Sequence, residues 1–234
     1  MVNTFVTHVG DVTFQRTAAS LDWRRLGKQR VEAMQIYTII CKIEDLCERG
    51  ILTPPSCGII ATSREDPSIT YPQRVKWYEE NYRIAKAIPG IKLGFGNHPA
   101  VKMWLGYRLA LGSYINAHID EWIARGYKNT MLWCEPPNIY QPLVLPWWIN
   151  FKELMMSHCA ALINKEIDRK EKLWYTSPER SEYFYGMGSK FMNNGYIWVH
   201  SLSSDFIKRA IAGDKFEPGE ICGPITEGII RSKK

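Results

Sequence analysis

Apolar residues recur every three or four positions along most of this 234-residue chain, the spacing of helices with one buried face. The opening Thr4–Val9 is short and β-prone, and predicts a strand or an extended arm. Asp11 is placed to cap a helix from about Val12 to Ala19. A second helix starts at Asp22 and carries Val31, Met34, Tyr37, Ile40, Cys41 and Leu46 on one stripe, with Glu48-Arg49-Gly50 as its stop. Residues 51–73, with Pro54-Pro55, Gly58, Pro67 and Pro72, read as a long irregular connection. A helix follows from Arg74 to about Ile88 and ends at Pro89-Gly90. His98-Pro99 opens what the pattern predicts as the clearest helix, running unbroken to Arg125 with Gly126 beyond it. Residues 128–149 read as a packed Pro- and Trp-rich loop, and a further helix spans about Phe151 to Arg169. The remainder is mostly irregular and aromatic, apart from a short helix near Ser204–Ala212. The expectation is a mainly α fold, a single helical domain over residues 1–234.

Composition narrows the class only a little. Hydrophobic residues make up 45% and charged residues 23%, which is ordinary for a globular chain, and the formal net charge is +6. The six cysteines, Cys41, Cys47, Cys57, Cys134, Cys159 and Cys222, show neither a C-x-x-C pair nor a disulfide framework. They read as reduced thiols of a soluble intracellular protein of the cytoplasm, nucleoid or nucleus, or a virus-encoded one in its host cell. The N-terminus lacks the pattern of a secretory signal, and no apolar run is long enough to cross a bilayer. The histidines His8, His98, His118, His158 and His200 have no metal-ligand spacing, so neither a metal nor another cofactor is expected.

Charge becomes informative where it clusters. Arg24, Arg25, Lys28 and Arg30 fall within seven residues at the start of the second helix, beside Trp23 and between Asp22 and Glu32. Residues three and four apart share a helix face, so Arg25, Lys28 and Glu32 align, with Arg24 adjacent. The result is a basic face holding one carboxylate, suited to a nucleic-acid backbone. A charged solvent-facing helix with a Lys28–Glu32 pair is the plainer alternative. Trp23, or the Trp147-Trp148 pair, could stack on an extruded base, although tryptophans are more often core.

Three separated blocks carry a resemblance. They are Arg24 to Glu32, then Asn97-His98-Pro99-Ala100-Val101-Lys102-Met103-Trp104 continuing to Tyr127, then Ser157-His158 to Lys165 with the aromatic stretch Tyr183 to Trp198. In this order they resemble the pyrimidine dimer DNA glycosylases of the endonuclease V type, and are nearest in pattern to a set of uncharacterised bacterial relatives. Residues 51–96, 128–150 and 203–234 lie outside the resemblance and would be insertions and a tail.

The resemblance implies a compact bundle of three main helices and double-stranded DNA as partner, with neither a membrane nor an obligate protein partner. It also implies N-glycosylase chemistry with possible strand cleavage. The amine of the mature N-terminus would attack the sugar C1′ of a damaged pyrimidine and form a Schiff base. Trp23, Arg24, Arg25, Lys28, Arg30, His98, Lys102, His158 and Lys165 would then be the DNA-contacting set. The chain departs from the family at two places: Val2 stands where the nucleophilic residue is Thr, and Arg25 stands where the essential carboxylate belongs. A guanidinium cannot act as that acid or base. Glu32, two turns along the same face, and Asp22 are the local replacements. Met1 or Lys28 could supply the amine instead of Val2. The rival expectations are a non-catalytic DNA-binding relative, and an enzyme on another nucleic-acid or nucleotide substrate.

Overall fold

The computed structural model describes residues 4–138, 140, 142–169, 173–194 and 196–221. Along the chain come α1 (Gln15–Ser20), α2 (Trp23–Glu48), α3 (Pro67–Ala87), α4 (Pro99–Met103), α5 (Arg108–Ala124), α6 (Lys152–Arg169), α7 (Ser181–Gly188), α8 (Ser204–Ala212) and α9 (Pro218–Ile221), with no strand among the described residues.

Helix α2 is set up locally and completed by packing. The Asp22 carboxylate caps it, accepting from the Arg24 and Arg25 amides at 2.9 and 3.0 Å, and Gly50 ends it in the left-handed region at φ 68°. Its inner positions Leu26, Ala33, Ile36, Ile40 and Ile43 are buried. Helix α5 lies antiparallel along it. Arg108 at the start of α5 pairs with Glu44 near the end of α2, at 2.5 Å, while Trp122 near the end of α5 covers Gly27. A Cβ at Gly27 would stand 2.8 Å from the Trp122 ring, so this glycine is what lets the indole lie flat on α2.

Three expected boundaries move. Helix α1 begins at Gln15, because the Asp11 carboxylate reaches ahead to the Thr17 amide (2.7 Å) and Phe14 occupies the cap position at φ 59°. Helix α3 begins at Pro67, seven residues before the expected start. Asp66 caps it through the Ser68 amide, Pro67 fits the first turn without needing an N–H, and Pro72 is tolerated inside. The long helix expected from His98 to Arg125 is two helices joined by Trp104–Tyr107. Gly106 there adopts φ 89° and presses on the buried Arg74 side chain, where a Cβ would meet Arg74 Cδ at 3.1 Å. Apolar periodicity continues through this break because both helices bury the face that faces the core, and so it gives no warning of the break.

Four long helices, α2, α3, α5 and α6, therefore carry the bundle, one more than the three expected. The extra one comes from residues 51–96: Tyr71, Arg74, Val75, Tyr78 and Tyr82 of α3 are all buried. Arg74 is held by the Glu65 carboxylate at 2.6 Å and by the carbonyls of Cys57 and Gly58. Where a loop was expected at 128–149, the ends pack: Trp147 and Trp148 are buried, and Cys134 exchanges backbone bonds with the Asn116 amide. Its middle does not, since Leu132 and Tyr140 are 83% and 86% exposed. No helix among the described residues is long and apolar enough to cross a membrane.

Candidate functional site

The expected strand or arm at the start of the chain is an arm, and no strand pairs with it. Thr4 to Thr7 run extended and fully buried, with their polar groups met by side chains from four helices. The Trp104 indole N–H donates to Thr4 Oγ1 at 2.9 Å. The Phe5 N–H donates to Gln29 Oε1 at 2.8 Å, and the Tyr114 hydroxyl donates to the Phe5 carbonyl at 2.9 Å. The Val6 N–H donates to His158 Nδ1 at 2.8 Å, and the Tyr183 hydroxyl donates to the Thr7 carbonyl at 2.7 Å. The arm thus passes the flank of α2 at Gln29, one turn before Glu32.

The first turn of α2 is basic at the wrong end for stability. The N-terminus of a helix is its positive pole, so Arg24 and Arg25 oppose the dipole, and Asp22 is the acid that offsets them. The arrangement concentrates positive potential, as suits an anion-binding surface. Arg24 and Lys28 are exposed on it, and Trp23 stands beside Arg24, 49% exposed with the guanidinium 5.2 Å from its ring. Glu32 is buried on the flank, 3.3 Å from the Lys28 ammonium. Its negative charge also reaches His98 and Tyr114. Asp22, the other candidate carboxylate, is committed elsewhere: one oxygen caps the helix and the other accepts from the Tyr175 hydroxyl at 2.6 Å.

Four residues expected to contact DNA sit differently. Arg25 is buried at 6% exposure, because its position on α2 turns toward the core. Arg30 points to the opposite flank, 4.2 Å over the Trp122 ring and bonded to Asn129 Oδ1. Lys102 is buried against Glu79 with its ammonium 2.5 Å from the carboxylate. His158 is wholly buried, and burial pushes its pKa down to about 3, so it is neutral and serves the arm rather than a phosphate.

His98 caps α4, accepting from the Ala100 amide at 3.1 Å, and packs edge-on against Trp198. It is half-buried, and desolvation lowers its pKa while Glu32 pulls the other way. Lys165 rests over the Phe5 ring at 4.5 Å. Trp147 and Trp148 are core, as most tryptophans were expected to be, and His118 is packed with its pKa lowered to about 4 by burial. Val2 lies outside the described residues. Among the described residues, no three His, Cys, Asp or Glu side chains gather to hold a metal ion.

Sequence reasoning missed the clasp on the arm. Gln29, Trp104 and Tyr114 were read as parts of helices, and only Gln29 carried a signal, as a polar residue on the apolar side of α2. No curated protein and no solved structure matches this chain. Residues 2–135 match the pyrimidine dimer DNA glycosylase family. That span takes in the arm, the basic turn of α2, Glu32 and His98, and stops short of the third block at 157–198. With more than half its length matched, and with a basic helix start flanked by a partly sequestered carboxylate, the chain belongs to the pyrimidine dimer DNA glycosylase family.

Proposed function

We propose that this protein excises damaged pyrimidines from DNA through an N-terminal amine, with Glu32 as the working carboxylate. Family membership supports DNA as the substrate and base excision as the reaction. The single observation that carries the finer reading is the buried arm. Its Phe5 amide is bound by Gln29, one turn before Glu32 on the same helix. Connectivity alone keeps residue 2 within about 7 Å of Thr4.

An α-amine has a reference pKa near 8, so a neutral fraction exists at physiological pH, and the neighbouring cations of α2 favour the neutral form. The amine attacks C1′ of the damaged nucleotide as the C1′–N bond to the base breaks. The bound amine loses one proton, which the departing base takes up; the amine lone pair then opens the C1′–O4′ bond, O4′ takes a proton from solvent, and a protonated imine results. Glu32 accepts a proton in this sequence; its removal of a C2′ proton from the imine expels the 3′ phosphate and cuts the strand. Water releases the protein by hydrolysing the imine. Arg24 and Lys28 hold the backbone, and His98 borders the site as a neutral group. The second reading, a binding relative without chemistry, is favoured by Arg25 at the family's carboxylate position.

Borohydride trapping on ultraviolet-irradiated duplex DNA tests the reading. A covalent adduct is expected, lost when the N-terminal amine is blocked. Glu32→Gln should lower turnover by about 10²-fold or more while leaving DNA affinity nearly unchanged. Binding without adduct or base release would sink the chemistry and leave the second reading. Normal turnover by Glu32→Gln would move the proton transfer to another group.

A further inference from the structure

We propose that a recess between α3 and α4 is a phosphate-binding subsite that carries the backbone of bound DNA past Glu32 and His98. This rests on the reading of the protein as DNA-binding. The recess, about 420 Å³, is lined by Glu79, Tyr82, Arg83 and Lys86 of α3 together with Asn97 and Lys102. The α3 residues follow at spacings of three, one and three, so they share one helix face.

Three cations meet one carboxylate there. Glu79 is occupied by the buried Lys102, at 2.5 Å, which neutralises the floor of the recess. Arg83 and Lys86 stand exposed at its mouth, and no acid among the described residues pairs with either. Two like charges three apart disfavour a helix slightly. The negative C-terminal pole of α3 accommodates Lys86 in the last turn, but Arg83 lies a turn earlier and gains little from it. A polar concavity with surplus positive charge and the Asn97 side chain as a neutral donor fits a phosphodiester rather than an apolar ligand.

Its placement gives the recess a role. Asn97 lines it, and the next residue, His98, lies within electrostatic reach of Glu32. His200 is half-buried nearby, in the field of Lys102, Glu79 and His98. A strand held by Arg24 and Lys28 that crosses Glu32 and His98 therefore runs on toward Arg83 and Lys86.

The test compares the full-length protein with Arg83→Ala/Lys86→Ala, both exposed, in duplex-DNA binding as a function of salt. A control pair, Arg49→Ala/Lys152→Ala, removes the same charge elsewhere. Losing two phosphate contacts should reduce the slope of log affinity against log salt by about 1.8, and weaken binding about 30-fold at 0.15 M salt. The control should keep the wild-type slope. If wild type binds and excises while the α3 variant keeps its slope, or if the control loses as much, the subsite is overturned and the proposed function stands. If wild type binds no duplex, both fall together.

Discussion

Two extended segments of this protein have opposite surroundings. The arm Thr4–Thr7 and the loop through Leu132 both lack helical or sheet partners, yet the first is buried and the second is 83% exposed at Leu132. Every arm residue has a polar group bound by a side chain from another part of the chain. The loop is tied at isolated points instead: Asn129 bonds both N–H and C=O of Met131, the Trp133 indole donates to Asp120, and Cys134 is paired with Asn116. Extended backbone by itself implies nothing about order or role. What differs is where the bonding side chains lie. The loop's ties leave Leu132 in solvent, whereas the arm depends on buried Gln29, Tyr114 and His158, so a change in any of these reaches the arm.

Acid should break the contrast most strongly. His158 and His118 are held neutral by burial, with folded pKa values of about 3 and about 4 against an ordinary 6.5. The unfolded chain therefore binds more protons below pH 6.5. Their contribution is whole above that value and is lost as pH falls toward the folded values. Between pH 7 and pH 5 each histidine should cost about 2 kcal/mol, about 4 kcal/mol for the pair. Urea unfolding at the two pH values checks this, and equal midpoints would mean that the arm's shell is wetter than described.

A smaller effect should come from Tyr114→Phe, which leaves the buried Phe5 carbonyl without its donor. A loss of about 1–3 kcal/mol is expected in urea unfolding at pH 7. A loss below that range would show that the arm does not need its clasp. In the loop, Leu132→Ser should change stability by no more than about 0.5 kcal/mol. A larger loss in the same assay would place Leu132 against the core and erase the comparison.

The long helices were legible because their signals are local: Asp22 caps α2, Gly50 and Gly126 close helices in the left-handed region, and apolar stripes repeat between them. Lys28 and Glu32 were legible as a same-face pair for that reason, and they form it. What could not be read was tertiary. Arg25 and Arg24 are neighbours in sequence, and only the position of the core decides that one is buried and the other exposed. Pro67 and Pro72 argue for a loop unless Asp66 is recognised as a cap that turns the first proline into a helix starter. The arm's partners Gln29, Trp104, Tyr114, His158 and Tyr183 lie 24 to 176 positions away along the chain, beyond any local pattern.

The joint at Trp104–Tyr107 decides where the histidine stands. A straight continuation of α5 backward from Arg108 would carry His98 about 15 Å past the Glu44 end of α2, while Glu32 lies about 18 Å the other way along that helix. The turn at Gly106 reverses the chain, so that α4 doubles back beside α2 and its cap residue His98 comes into the field of Glu32. Arg74, from the helix that lies outside the three blocks of resemblance, is the post around which the chain bends. A residue given no part in the proposed chemistry thus fixes the geometry of the two residues that the proposal places at the site.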